Sequence, residues 1–181
     1  MHLDPMRDKG RVMPVAQEPA KIDSLRVWHC KYRTLASLSV FANLQTLVIA
    51  SLPDEALSVI GSLRHLRYLR IVHLPKVTSL APLAALEGLE VLSLETLPSW
   101  DPSGRRTEVD SLDPIGALPR LKHLSLLGVI PTDKSLRSVE RCRSLVSAHL
   151  MGYPKQEIQR FYAETKVSDE PAPEPDFGAG S

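Results

Sequence analysis

The chain of 181 residues has only two cysteines, Cys30 and Cys142. That is too few for a disulfide framework, so a reducing, cytoplasmic setting is expected. No sign of charge dominates: 22 Lys and Arg stand against 21 Asp and Glu, which gives no reason to expect nucleic acid or a membrane surface as partner. Long hydrophobic runs are missing too. Arg, Asp, Glu or Pro interrupts every leucine-rich stretch before the roughly 20 apolar residues that a bilayer crossing takes. The opening residues lack the apolar segment of a secretory signal. G-x-S-x-G, H-E-x-x-H, P-loop and paired C-x-x-C patterns are all absent, so neither an enzyme nor a cofactor is expected.

What the chain does have is a repeat. Leu66-Arg67-Tyr68-Leu69-Arg70-Ile71 follows the pattern L-x-x-L-x-Φ, with Φ apolar, and copies start at Ile22, Leu44, Leu66, Leu89, Leu121 and, weakened, Leu145. The starts are spaced 22, 22, 23, 32 and 24 residues apart. A second regularity runs backwards from each later start in steps of three. Phe41, Leu63, Leu86, Leu118 and Cys142 lie three residues before; Leu38, Ile60, Leu83, Ile115 and Val139 lie six before; Leu35, Leu57, Leu80, Leu112 and Leu136 lie nine before. All are apolar. Alternation suits a short strand, and steps of three suit a tight 3₁₀ or short helical return. Seven or so buried aliphatic side chains per copy supply about 10–20 kcal/mol. Ordering the backbone of one copy costs at least as much, at about 1–2 kcal/mol per residue, so only stacked copies are stable.

Over residues 22–153 this pattern resembles the leucine-rich-repeat family, in its short 22-residue class. The resemblance implies an α/β fold: a right-handed, horseshoe-shaped solenoid of about six repeats. Its parallel sheet would line the concave face and its 3₁₀ or short helical returns the convex face, with a helical cap at the C-terminus. At the ninth position of each copy, where the family usually places asparagine or cysteine, this chain has Cys30, Leu52, Leu74, Leu97, Val129 and Tyr153. An asparagine ladder therefore cannot satisfy the turns. The long interval comes from an insertion: Leu97 and Leu112 are 15 residues apart, whereas Leu74 and Leu80 are 6 apart.

The expected organisation is a flexible lead-in or cap over 1–20, with a possible edge strand from Arg11 to Val15, and a repeat domain over 21–153 with a surface loop at 98–111. A capping helix over 154–167, opened by Pro154, and a disordered acidic, Pro-rich tail over 168–181 complete it.

Outward strand positions are where the repeat leaves composition free. Arg26, Trp28, Tyr68 and Arg70 are anchors of the types enriched at binding hot spots, with Glu95 and His123 further along the face. Trp28 can also pack under the lead-in. Trp100 and Arg105 in the insertion form a second candidate surface. Cys142 is flanked by Arg141 and Arg143, but it occupies a core column and reads as a buried thiol rather than a reactive one. Glu95, His123 and His149 lie on consecutive strands, in different columns, and read as polar surface rather than a metal or acid–base site. The expected function is thus a non-catalytic module binding a protein partner on the concave strand face, with monomers favoured. The alternative is a regulatory or neutralising subunit, of inhibitor or immunity type, for an enzyme or toxin.

Overall fold

A computed structural model describes residues 1–97 and 104–177. Its centre is a parallel sheet of seven strands: β1 (His2–Leu3), β2 (Ser24–Trp28), β3 (Thr46–Ala50), β4 (Tyr68–Val72), β5 (Val91–Glu95), β7 (His123–Leu127) and β9 (Ser147–Met151), in that spatial order. From β2 onward the copies stack in register, position for position: Arg26 lies beside Val48, Val48 beside Arg70, Arg70 beside Ser93, Ser93 beside Ser125, and Ser125 beside His149. This is the expected leucine-rich-repeat solenoid. Leu25, Leu47, Leu69, Leu92, Leu124 and Ala148 form one fully buried inward row, and Val27, Ile49, Ile71, Leu94, Leu126 and Leu150 the next.

The returns explain the steps of three. They are 3₁₀ turns at Ala36–Val40, Ala81–Ala85 and Val139–Arg141 and one-turn helices α1 (Ser58–Gly61) and α2 (Asp113–Gly116). In 3₁₀ geometry residues three apart eclipse each other, so the apolar members all face the core. They also bond to one another: the N–H groups of Leu38, Phe41 and Leu44 donate to the carbonyls of Leu35, Leu38 and Phe41 at 2.9, 3.0 and 3.1 Å. Leu83, Leu86 and Leu89 repeat the pattern. One residue type at one spacing therefore satisfies both the core and the backbone.

The turns that follow the strands need no asparagine ladder. The backbone ladder runs on past the strands, with Ser51 N–H donating to Val72 O (2.7 Å), Leu52 N–H to His73 O (2.9 Å), His73 N–H to Glu95 O (2.7 Å) and Thr96 N–H to Leu127 O (2.8 Å). The direction change is made by a column in the left-handed region: His29, Ser51, His73, Gly128 and Gly152, with φ of 52, 70, 68, 73 and 94°.

Three expectations need correction. The edge strand is His2–Leu3 rather than Arg11–Val15. Residues 5–7 carry the pairing onward, since Trp28 N–H donates to Pro5 O (3.0 Å) and Arg7 N–H to Trp28 O (2.8 Å), while of 11–15 only Met13 is buried in the core. The inserted segment is not loop throughout. Its last part forms β6 (Thr107–Val109), paired in parallel with β8 (Val129–Pro131) in a second small sheet, because Thr107 and Val109 are buried there. Composition predicts disorder from residue 168, yet residues 168–177 run extended across the strand face.

The open end of the solenoid is closed by α3 (Lys155–Thr165). Phe161 enters the core, and Tyr162 Oη donates to Ala148 O at 2.7 Å. Arg160 pairs with Glu140 and Glu157, and a Glu157 carboxylate oxygen accepts the Leu136 N–H at 2.7 Å, docking the helix on the last return. Among the described residues, no helix is long and apolar enough to cross a membrane.

Candidate binding face

The outward side chains of the sheet fall into three groups. An apolar patch comes first. Val48, Tyr68 and Val91 are buried together, away from the main core, and Trp28, Ala172 and Phe177 pack against them. Nothing in the repeat requires these residues to be apolar, since they point opposite to the leucines. They are buried because the tail lies over them.

The second group is a fixed polar network. Arg70 Nε donates to Glu95 Oε1 at 2.8 Å and Nη2 to Glu95 Oε2 at 3.3 Å, a two-point pairing of guanidinium and carboxylate. Ser93 Oγ–H donates to Glu95 Oε1 at 2.7 Å. Parallel register places Ser93 beside Arg70 and Glu95 beside Val72, so Arg70 and Ser93, from two adjacent strands, converge on the Glu95 carboxylate. The free edge of Arg70, at Nη1, meets both oxygens of Glu174 at 3.2 Å. The Tyr68 phenol donates to Pro173 O at 3.0 Å, and burial pushes its pKa up to about 12.

The third group lies at the two ends of the face. Arg26 donates to both carboxylate oxygens of Asp4 in the lead-in, which holds the Asp4 carboxyl below its ordinary range. The same guanidinium stands 5.4 Å from the Phe177 ring centroid, and the His2 ring lies 4.4 Å from that ring. Trp28 is half-buried, tied by its backbone to the lead-in and packed on the apolar patch. At the far end His123 Nδ1 is hydrogen-bonded with Ser147 Oγ at 2.9 Å and His149 Nδ1 with Asp169 at 2.9 Å.

The sequence candidates therefore divide. Arg26, Trp28, Tyr68, Arg70 and Glu95 belong to one connected surface. His123 stands beside Val91 of the apolar patch and bonds with Ser147, and Glu95, His123 and His149 each engage a separate partner. Among the described residues no three His, Cys, Asp or Glu side chains are grouped to hold a metal. Trp100 lies outside the described residues; Arg105 is exposed in the insertion. Cys142 is buried, its thiol donates to Ile115 O at 3.3 Å, and burial raises its pKa to about 11. What sequence reasoning missed is the tail. The signal available for it was the alternation Pro171, Pro173, Pro175, which favours an extended chain with few N–H groups to satisfy.

Among solved structures the chain is similar to internalin C2 of Listeria monocytogenes, with 22% identity and a TM-score of 0.53 over 71% of this chain and 51% of that one. The internalin inlF of the same organism matches at 18% identity and a TM-score of 0.48, over 83% of this chain and 48% of that one. The chain spans about half the length of these proteins. No protein-family model and no curated protein matches it. The likeness to internalin C2 shows the fold, a leucine-rich-repeat solenoid.

Proposed function

We propose that the protein is a non-catalytic binding module that takes a protein partner on its strand face. The observation that carries this reading is the surface made by Trp28, Tyr68 and Arg70. These are hot-spot residue types at positions the repeat leaves free, and Arg70 is already held in place by Glu95. A preformed anchor loses little freedom when a partner docks. The fold is one commonly used for protein binding, and the near balance of charge supports a protein rather than nucleic acid or a membrane as partner. The two free thiols support a reducing, cytoplasmic setting.

The test is affinity capture from the native source with the wild-type chain and a Tyr68→Ala, Arg70→Glu variant whose folding is checked by circular dichroism. Partners present on the wild type and lost from the variant are expected. Retention of the same partners by both would refute the assignment of the face. Assay of a captured enzyme with and without the module then separates a plain adaptor from a neutralising subunit.

A further inference from the structure

Residues 168–177 leave the cap at the last strand and travel back towards the first, crossing the sheet roughly at right angles to its strands. The contacts occur in sequence. Ser168 pairs beside Ser147, its N–H donating to Val146 O at 3.1 Å and its carbonyl accepting the Ala148 N–H at 3.0 Å. Asp169 reaches His149. The Ala172 N–H donates to Ser125 Oγ at 2.9 Å, on β7. Pro173 O accepts from Tyr68 and Glu174 meets Arg70, both on β4. Phe177 packs near Arg26 and His2, beside the first repeat.

This arrangement has the properties of a ligand seated in a site rather than of a structural element. Side chains of the face read the backbone of the segment at two points, Ser125 and Tyr68, and read one carboxylate with Arg70. Prolines at 171, 173 and 175 remove N–H groups that would otherwise go unpaired and keep the segment extended. An alanine and a phenylalanine, Ala172 and Phe177, supply the apolar contact. The polar grip is at the same time loose: the Glu174 side chain is 82% exposed and that of Asp169 61% exposed, and ion pairs so open to solvent add little. A segment that covers the anchors, contributes nothing to the main core and is weakly held is readily displaced.

We propose that the strand face is a receptor for an extended, acidic, proline-containing segment of a partner protein that carries an aromatic residue, and that residues 168–177 are its internal ligand, which such a partner must displace. The inference rests on the strand face being the binding face and adds the chemistry of the partner and the means of its control. Tethering gives the tail a local concentration on the order of millimolar, so a partner sees only the fraction of molecules in which the tail has lifted. Its apparent affinity falls by that fraction. Anything that engages the tail itself would open the face.

A fluorescently labelled synthetic peptide of residues 168–177 is titrated by anisotropy against the full chain and against a full-chain Glu174→Ala, Phe177→Ala variant. The two substitutions remove surface contacts of the tail and leave the solenoid core intact. The peptide is expected to bind the variant about tenfold or more tightly than the wild type. Adding Tyr68→Phe, which deletes only the phenol oxygen, is expected to weaken binding to the variant several-fold, and adding Arg70→Gln to weaken it further. Equal binding to both proteins, no binding to either, or binding to the variant that is indifferent to Tyr68 and Arg70 would overturn the proposal. If natural partners nonetheless need Tyr68 and Arg70 for capture, the strand face remains the binding face and only the internal ligand is lost. A concentration-dependent dimer of the wild type that the Glu174→Ala, Phe177→Ala change abolishes would assign the tail to a second copy and equally overturn it.

Discussion

Arg70 has two carboxylate neighbours that do different work. Glu95 grips it at two points in a partly buried setting, with side-chain exposures of 25% for Arg70 and 14% for Glu95, and Ser93 braces the same oxygen. Glu174 meets it from a side chain that is almost wholly in water. Replacing Glu95 by alanine leaves a half-buried guanidinium and a serine hydroxyl short of an acceptor. The expected loss of stability is about 1–3 kcal/mol, the scale of hydrogen bonds to charged groups. Replacing Glu174 by alanine breaks an exposed pair, for which less than about 1 kcal/mol is expected. Urea denaturation of the two single variants checks the contrast, and comparable losses would mean that the tail is as integral to the fold as the network beneath it. The same residues show how far sequence reading reaches at this scale. Alternation along L-x-x-L-x-Φ is enough to point Tyr68, Arg70 and Glu95 outward together. It says nothing of Glu174, whose approach to Arg70 spans 104 residues and follows no period.

The return turns show how an element is specified by a column rather than by a motif. The position just after each strand takes a left-handed conformation in five copies, occupied by His29, Ser51, His73, Gly128 and Gly152. Three of these carry side chains, so the conformation alone is tolerated in this setting. Gly128 differs because its neighbour on the preceding copy is Thr96: a Cβ there would lie 2.4 Å from Thr96 Oγ1 and 3.0 Å from Cγ2. Gly128→Ala is therefore expected to cost about 1–3 kcal/mol from overpacking. Adding Thr96→Ala, which removes both of those atoms, is expected to recover most of it, even though Thr96 on its own donates to Leu127 O at 3.1 Å. A double-mutant cycle by thermal or urea unfolding measures the coupling. Strictly additive losses would place the strain in the backbone and not in the Thr96 contact. This column was hidden from sequence reading because His, Ser and Gly share no side-chain chemistry. They share only access to positive φ, enforced by the ladder bonds of the next copy. The returns themselves were legible because every third residue had to be apolar.

At the scale of the whole molecule, a parallel solenoid has two open ends and two exposed strand edges, and this chain covers both ends with its own termini. Inward positions are dictated by stacking, so the solenoid and the α3 cap could be read from the leucine period and from Pro154. A cover at the N-terminal edge was expected as well, but its place could not be read. Its two strand residues, His2 and Leu3, are too short a signal, and Met13 alone of the Arg11 to Val15 segment is buried. That cover has a consequence for assembly. Residues 1–8 take up the outer backbone groups of β2 and of the turn after it, through the pairing of β1, the Pro5 and Arg7 bonds to Trp28 and the Lys31 N–H bond to Asp8 O at 2.8 Å. An uncovered parallel edge is a template for another chain, and the core would lose the cover of Leu3 at the same time. The full chain is therefore expected to run as a monomer of 20.0 kDa in light scattering at all working concentrations. A chain lacking residues 1–8 is expected to self-associate in a concentration-dependent way while keeping its circular dichroism spectrum. Introducing Val27→Lys in the shortened chain places a charge at the opened end of the core and is expected either to restore the monomer or to unfold the first repeat, two outcomes that the dichroism distinguishes. A shortened chain that stays monomeric at every concentration would show that the first repeat seals its own edge and that the lead-in serves the binding face alone.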